Sequence, residues 1–229
     1  MGEHLQITLS IVFFVYLVIW FTYVSLNTIP RPRLKSKSIC LLKHIEWKTG
    51  DIILFHSNPF INLFTNSIWS HVGIVLVGNS GKARIFEITA HSHYVSLNPL
   101  IDEITDELSN ANNVIAYRRI SPAPDAKKLK SFAIQSIKDK VHYDHVYWRE
   151  FHKRIFGSLF PIKTTQSDAT VDKTTLCSGL VASALQYSGV LNKDRNSLEF
   201  LPTDFGETKV SNTLPPYEFG PLTFVKMEK

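Results

Sequence analysis

Cysteine is scarce in this chain: it occurs at Cys40 and Cys177 only. A secreted fold stapled by disulfides needs more of them. Two unpaired thiols in a reducing compartment is the simpler arrangement. Metal-site signatures are missing as well. His91, His93, His142, His145 and His152 are numerous, yet no His-Glu-x-x-His run or paired-cysteine spacing goes with them. A metal-dependent hydrolase is disfavoured on that ground, and neither metal nor cofactor is expected. No repeat of fixed period or low-complexity tract interrupts the chain. A basic stripe is also lacking: of the net charge of +5, residues 1–37 hold +3 and the remainder only +2. A nucleic-acid partner, which needs such a stripe, is therefore not expected.

Charge is absent altogether between Leu5 and Ile29, a run with the core ITLSIVFFVYLVIWFTYVSL. A helix of about 20 apolar residues matches the hydrocarbon thickness of a bilayer. The start MGEHLQ has no Lys or Arg and no A-x-A site follows, which argues against a cleaved signal peptide. The run predicts an uncleaved transmembrane anchor over residues 1–30, ended by Pro30 and Pro32. Residues 31–46 follow as a basic juxtamembrane stalk carrying Arg31, Arg33, Lys35 and Lys37, and residues 47–229 as one domain. Positive charge on the C-terminal flank makes the expected product a single-pass membrane protein with its domain on the cytosolic side.

Within the domain, Thr49-Gly50-Asp51 is a turn signal before the apolar run Ile52–Phe55. The spacing predicts strands at His71–Val77 and Ala83–Thr89, joined through Asn79-Ser80-Gly81 as a hairpin, and further strands at Val114–Ile120 and Leu222–Val225. Residues 59–68 and 142–160 are read as helical, and 163–175 as a polar loop. Apolar positions Leu129, Phe132, Ala133, Ile134 and Ile137 mark an amphipathic helix within Asp125–Lys140. A last helix is expected over Leu176–Tyr187, capped by Thr174 or Thr175 and stopped by Gly189. Strands in one block and helices in others imply an α+β domain whose antiparallel sheet packs on the helix that bears the cysteine.

Three residues carry candidate chemistry. Cys177 falls in the first turn of the last helix, where unpaired N–H groups and the helix dipole favour negative charge. An ordinary thiol near pKa 8.5 can fall to roughly 3.5–7.5 in such a place. The same N–H groups suit an oxyanion. His71 opens a strand, and a polar ring at the edge of an apolar run needs a partner; a general base is one such role. Glu87 lies between Phe86 and Ile88, where a carboxylate is costly unless paired. If Ile74–Val77 pairs with Ala83–Phe86, Glu87 comes beside His71 on one face and orients its ring.

Gly50-Asp51-Ile-Ile-Leu-Phe, Ser70-His71-Val-Gly-Ile-Val, Phe86-Glu87 and Leu176-Cys177-Ser-Gly-Leu-Val-Ala-Ser-Ala-Leu occur in that order. Together they resemble the circularly permuted papain-like families. These include the YiiX/YaeF-like amidases and the relatives of lecithin retinol acyltransferase, kin of the NlpC-type peptidases. The resemblance spans about residues 47–205 and is strongest around His71 and Cys177. It implies a permuted papain-like fold with Cys177 as nucleophile, His71 as base and Glu87 as third polar member. Leu176 stands where many relatives carry an aromatic residue. Glu87 in the third position looks more like the amidase branch than the acyltransferase branch.

These readings converge on a membrane-anchored thiol hydrolase or acyltransferase. It would cleave an amide or ester of a lipid or peptide substrate through a Cys177 thioester. Trp148, Tyr143, Tyr147 and Phe151 are candidates for a lipid groove, against an ordinary role in the core. A membrane-tethered binding module of the same fold, without catalysis, is the competing interpretation.

Overall fold

The protein is described from a computed structural model. It covers residues 39–57, 68–89, 91–143, 174–206 and 210–228, together with Phe14, Tyr16 and Val18. Its centre is a seven-stranded sheet. The strands in chain order are β1 (Ile39–Leu41), β2 (Ile52–His56), β3 (His71–Val77), β4 (Ala83–Ile88), β5 (Val95–Pro99) and β6 (Val114–Arg118). They are followed by β7 (Ile120–Ser121), β8 (His142–Tyr143), β9 (Thr174–Thr175), β10 (Glu218–Phe219) and β11 (Thr223–Lys226). The large sheet runs β1-β11-β6-β2-β3-β4-β5, while β7 with β10 and β8 with β9 form small two-stranded sheets. Among the described residues four α-helices accompany them: α1 (Leu100–Ser109), α2 (Ala126–Lys138), α3 (Cys177–Ser188) and the short α4 (Pro202–Gly206).

Alternation along β3 sends Val72, Ile74 and Leu76 into one core and Val75 into the other. The first core collects Phe132 and Ala133 from α2 and Leu180, Val181, Ala184 and Leu185 from α3. The second collects Leu100 and Ile104 from α1 against Ile53, Phe55 and Ile85. The sheet is thus covered on both faces, which explains why β2 and β3 read as nearly continuous apolar runs. Ile52, Ile53, Leu54, Ile74, Val75 and Ile85 are all fully buried. Each such side chain contributes about 1.5–3 kcal/mol of transfer free energy before entropy is charged against it.

The hairpin of β3 and β4 forms in the expected register, with Val77 opposite Ala83 and Ile74 opposite Phe86. Helix α2 begins on Asp125, whose carboxylate accepts from the Lys127 and Lys128 amides. Helix α3 ends on Gly189 at φ 83°, the left-handed turn that glycine adopts without steric cost.

Several expectations are corrected. The sheet is mixed rather than antiparallel, because β1 pairs parallel to β11 at one edge. Residues 39–41, expected within the stalk, supply that edge strand. No threonine caps α3: its N-cap is Leu176, without a side-chain cap bond, and Thr175 Oγ1 donates to the Leu176 carbonyl instead. The membrane-spanning helix expected over residues 1–30 is overturned, and the single-pass placement with a cytosolic domain falls with it. No helix among the described residues is long and apolar enough to cross a membrane. The apolar α3 has 12 residues, about 18 Å at 1.5 Å each, against a hydrocarbon core of about 30 Å. Most of residues 1–38 lies outside the described residues, as do most of the helices expected at 59–68 and 142–160 and of the loop at 163–175.

Candidate active site

Three side chains singled out in the sequence come together here. His71 is the first residue of β3, and Glu87 the next-to-last of β4. Ile74 pairs with Phe86, so one step further Gly73 lies opposite Glu87. His71, Gly73 and Glu87 then share the face that carries Val75 and Ile85. Gly73 leaves Ile85 its place on that face. A Cβ at that position would stand 2.6 Å from Ile85 Cδ1 and 3.5 Å from Glu87 Cβ. His71 Nε2–H donates to Glu87 Oε2 at 2.8 Å. The Glu87 side chain is 1% exposed and that of His71 is 18% exposed. On its other flank the ring tilts against Phe55, centroids 5.4 Å apart.

Cys177 arrives from the opposite face of the sheet. It is the first residue of α3, its side chain belongs to the first core, and it is 4% exposed. His71 sits where β3 begins, so a group from the α3 side can reach it around the strand end. The Cys177 sulfur is close enough to act on the charge of the imidazole. Burial weighs most on the ring and lowers its pKa. Negative charge on Cys177, the bond to that sulfur, and then the bond and charge of Glu87 all raise it. Together they prevail and hold His71 at about 10, against its ordinary 6.5. The ring therefore keeps a proton at neutral pH, between a sulfur and a carboxylate.

Two further groups of residues were missed in the sequence. Asn98 on β5 donates from Nδ2 to Glu87 Oε1 at 3.0 Å and to Ser96 Oγ at 3.3 Å. The signal was the alternation Val95-Ser96-Leu97-Asn98, whose two apolar members were too few to read as a strand. On α1, Glu103 and Glu107 face the same charges. Burial, reinforced by Glu87, holds the Glu103 carboxyl above its ordinary pKa. Burial also raises Glu107, aided by Asp106 and opposed by His71 and by a bond from Asn113.

Cys40 stands apart on β1, half-buried, its Sγ directed at the Leu41 carbonyl. Of the histidines weighed for metal binding, His142 packs on Tyr94 with centroids 4.5 Å apart. His145 and His152 lie outside the described residues, as do Trp148, Tyr147 and Phe151. Tyr143 is buried. No group of three or more His, Cys, Asp or Glu among the described residues could hold a metal ion.

No family model matches the chain, and no curated protein does either. Among solved structures it is similar to the metalloprotein yiiX (DUF1105) from Escherichia coli O157:H7. The two share 20% identity and a TM-score of 0.47, over 80% of this chain and 99% of that one. A likeness of this size does not carry a function from one protein to the other.

Proposed function

We propose that this protein is a thiol enzyme acting on an acyl bond, an amide or an ester, through a covalent Cys177 thioester. The observation that carries the reading is the hydrogen bond of His71 to a buried carboxylate, together with its electrostatic coupling to Cys177. Glu87 occupies Nε2, which leaves Nδ1 to exchange a proton with the sulfur. An imidazole held by a buried carboxylate and coupled to Cys177 is suited to accept the Cys177 proton, the role of the base. Glu87 fixes the tautomer and the ring plane.

In the first step the Cys177 sulfur attacks the substrate carbonyl carbon and the C=O electron pair moves onto oxygen. The uncapped first turn of α3 offers N–H groups to that oxyanion. Collapse breaks the C–N or C–O bond, and the leaving group takes the proton from His71. In the second step water, or another acceptor, attacks the thioester and gives its proton to His71. The S–C bond then breaks and the acyl product leaves. With water the enzyme is a hydrolase; with an alcohol or amine it is an acyltransferase. The permuted papain-like motifs support the same assignment by resemblance, with lipid and peptide acyl compounds as the substrate classes.

One observation favours a second reading, a non-catalytic binding module of the same fold: Cys177 is only 4% exposed, as an inert structural thiol would be. Intact-mass analysis after incubation with activated lipid-ester and peptide-amide probes separates the two. The enzyme reading requires an acyl adduct on Cys177 in the wild type, none in Cys177→Ala, and a strongly reduced amount in His71→Ala. No adduct with either probe class, or equal labelling of Cys40, speaks for the binding module.

A further inference from the structure

We infer that Asn98 is a positioning residue for the His71–Glu87 pair, completing a relay that runs Cys177, His71, Glu87, Asn98. The inference rests on the thiol-enzyme reading above and adds to it a residue outside the three already assigned.

The strand register dictates the contact. Glu87 pairs with Ser96 and Ile85 with Asn98 across β4 and β5. Directly opposed residues of an antiparallel pair share a face, and diagonal neighbours come within reach of long side chains. Glu87, Ser96 and Asn98 therefore stand on one face by construction, the face that also holds His71. The carboxylate divides its oxygens between two donors: Oε2 accepts from His71 at 2.8 Å and Oε1 accepts from Asn98 at 3.0 Å.

Held by His71 alone, a carboxylate can swing about its Cγ–Cδ bond and carry the imidazole with it. A second donor on the other oxygen fixes the plane of the carboxylate, and the carboxylate then fixes the plane of the ring. At 1% exposure Glu87 has little water to turn to, so each donor counts for more. The amide donates without bringing charge. A lysine in its place would compete with the imidazolium for Glu87, and an aspartate would repel it.

The orientation of the amide is also determined. Turned over, Asn98 would set its Oδ1 against an anionic oxygen, two acceptors with no proton between them. Ser96 Oγ, at 3.3 Å, receives the second Nδ2 proton. The other charges facing this group are Cys177 from α3 and Glu103 and Glu107 from α1. None of them supplies a hydrogen bond to Glu87, so Asn98 is not duplicated by its neighbours.

The test is an NMR titration of the His71 ring in the full chain, run with the pH profile of Cys177 alkylation by iodoacetamide. Neither needs a substrate. In Asn98→Ala the His71 midpoint falls by about one pH unit, the tenfold scale of one hydrogen bond to a charged group. The alkylation profile shifts with it. Asn98→Leu, which keeps the bulk and removes the donor, gives the same displacement and answers for any loss of fold in the alanine variant. Asn98→Ser, which restores a short donor, recovers part of it. An unchanged midpoint and profile in both Ala and Leu variants overturns the positioning role while leaving the thiol-enzyme reading intact. If wild-type Cys177 reacts no differently from its counterpart in His71→Ala, the enzyme reading itself fails, whatever Asn98 does.

Discussion

His71 and Glu87 are joined edge to edge across a glycine gap: Nε2 to Oε2 is 2.8 Å, over a position where any Cβ would collide with Ile85. The contact depends on charge as well as shape. Glu87→Gln preserves the outline and removes the negative charge. We expect Cys177 alkylation at pH 6 to fall by about tenfold or more, the scale of one charge-assisted hydrogen bond. Thermal unfolding should move far less than the rate. Kinetics of iodoacetamide labelling, read by mass spectrometry, measure the first; calorimetry measures the second.

Gly73 is predicted to be intolerant for the same reason. Gly73→Ala forces Ile85, fully buried, to yield. Overpacking of this kind costs about 1–3 kcal/mol. Urea unfolding should register that loss, and labelling of Cys177 should slow as the shifted Ile85 disturbs the face that His71 and Glu87 share. Gly81→Ala in the exposed hairpin turn is a useful contrast: nothing within 4 Å opposes its Cβ, although its φ of 76° strains the backbone. It should destabilise without altering labelling.

Stability should depend on pH through His71 in a direction fixed by its shift. Its pKa is about 10 in the folded chain and 6.5 ordinarily, so the folded state holds the proton more tightly. The stabilisation from His71 is therefore fully present below about 6.5 and drains away as pH rises towards 10. Denaturation midpoints measured across that window should fall more steeply for the wild type than for His71→Gln.

Helix α1 carries a liability of the opposite kind. The Glu103 carboxyl is held above its ordinary pKa by burial and by Glu87, so its ionisation opposes folding. For an acid raised in this way, stability is greatest below its unfolded pKa and declines as pH climbs through the folded value. Glu103→Gln should raise the unfolding temperature at pH 7–8, and the gain should vanish near pH 4. Differential scanning calorimetry at the two pH values decides it.

The hairpin was legible because its turn, its apolar run and its buried acid all point to one register, and that register alone brings Glu87 to His71. The first-turn position of Cys177 followed from the apolar run that ends at Gly189. The strand β5 was not legible. Val95 and Leu97 face the first core, while Ser96 and Asn98 on the other face serve a buried carboxylate, so only two apolar positions mark the strand. Strand β1 was hidden for another reason. Cys40 and its neighbours follow a basic stretch, and their parallel pairing with Thr223–Lys226 joins residues at opposite ends of the domain, which no local pattern reveals. Hydropathy favoured a bilayer span over residues 1–30, but no described helix meets the length and polarity that a span requires. That Cys177, from the core on the other face of the sheet, acts on the charge of His71 is a tertiary relation absent from the sequence.

The central claim is that His71, held by Glu87, activates Cys177. It is tested most directly by the second-order rate of iodoacetamide alkylation at Cys177 at pH 6, where an ordinary thiol with a pKa of about 8.5 is almost wholly protonated. We expect Cys177 to react at least tenfold faster than Cys40 in the same molecule, and His71→Ala to abolish the difference. Equal rates at the two cysteines, or a Cys177 rate indifferent to His71→Ala, would contradict the account.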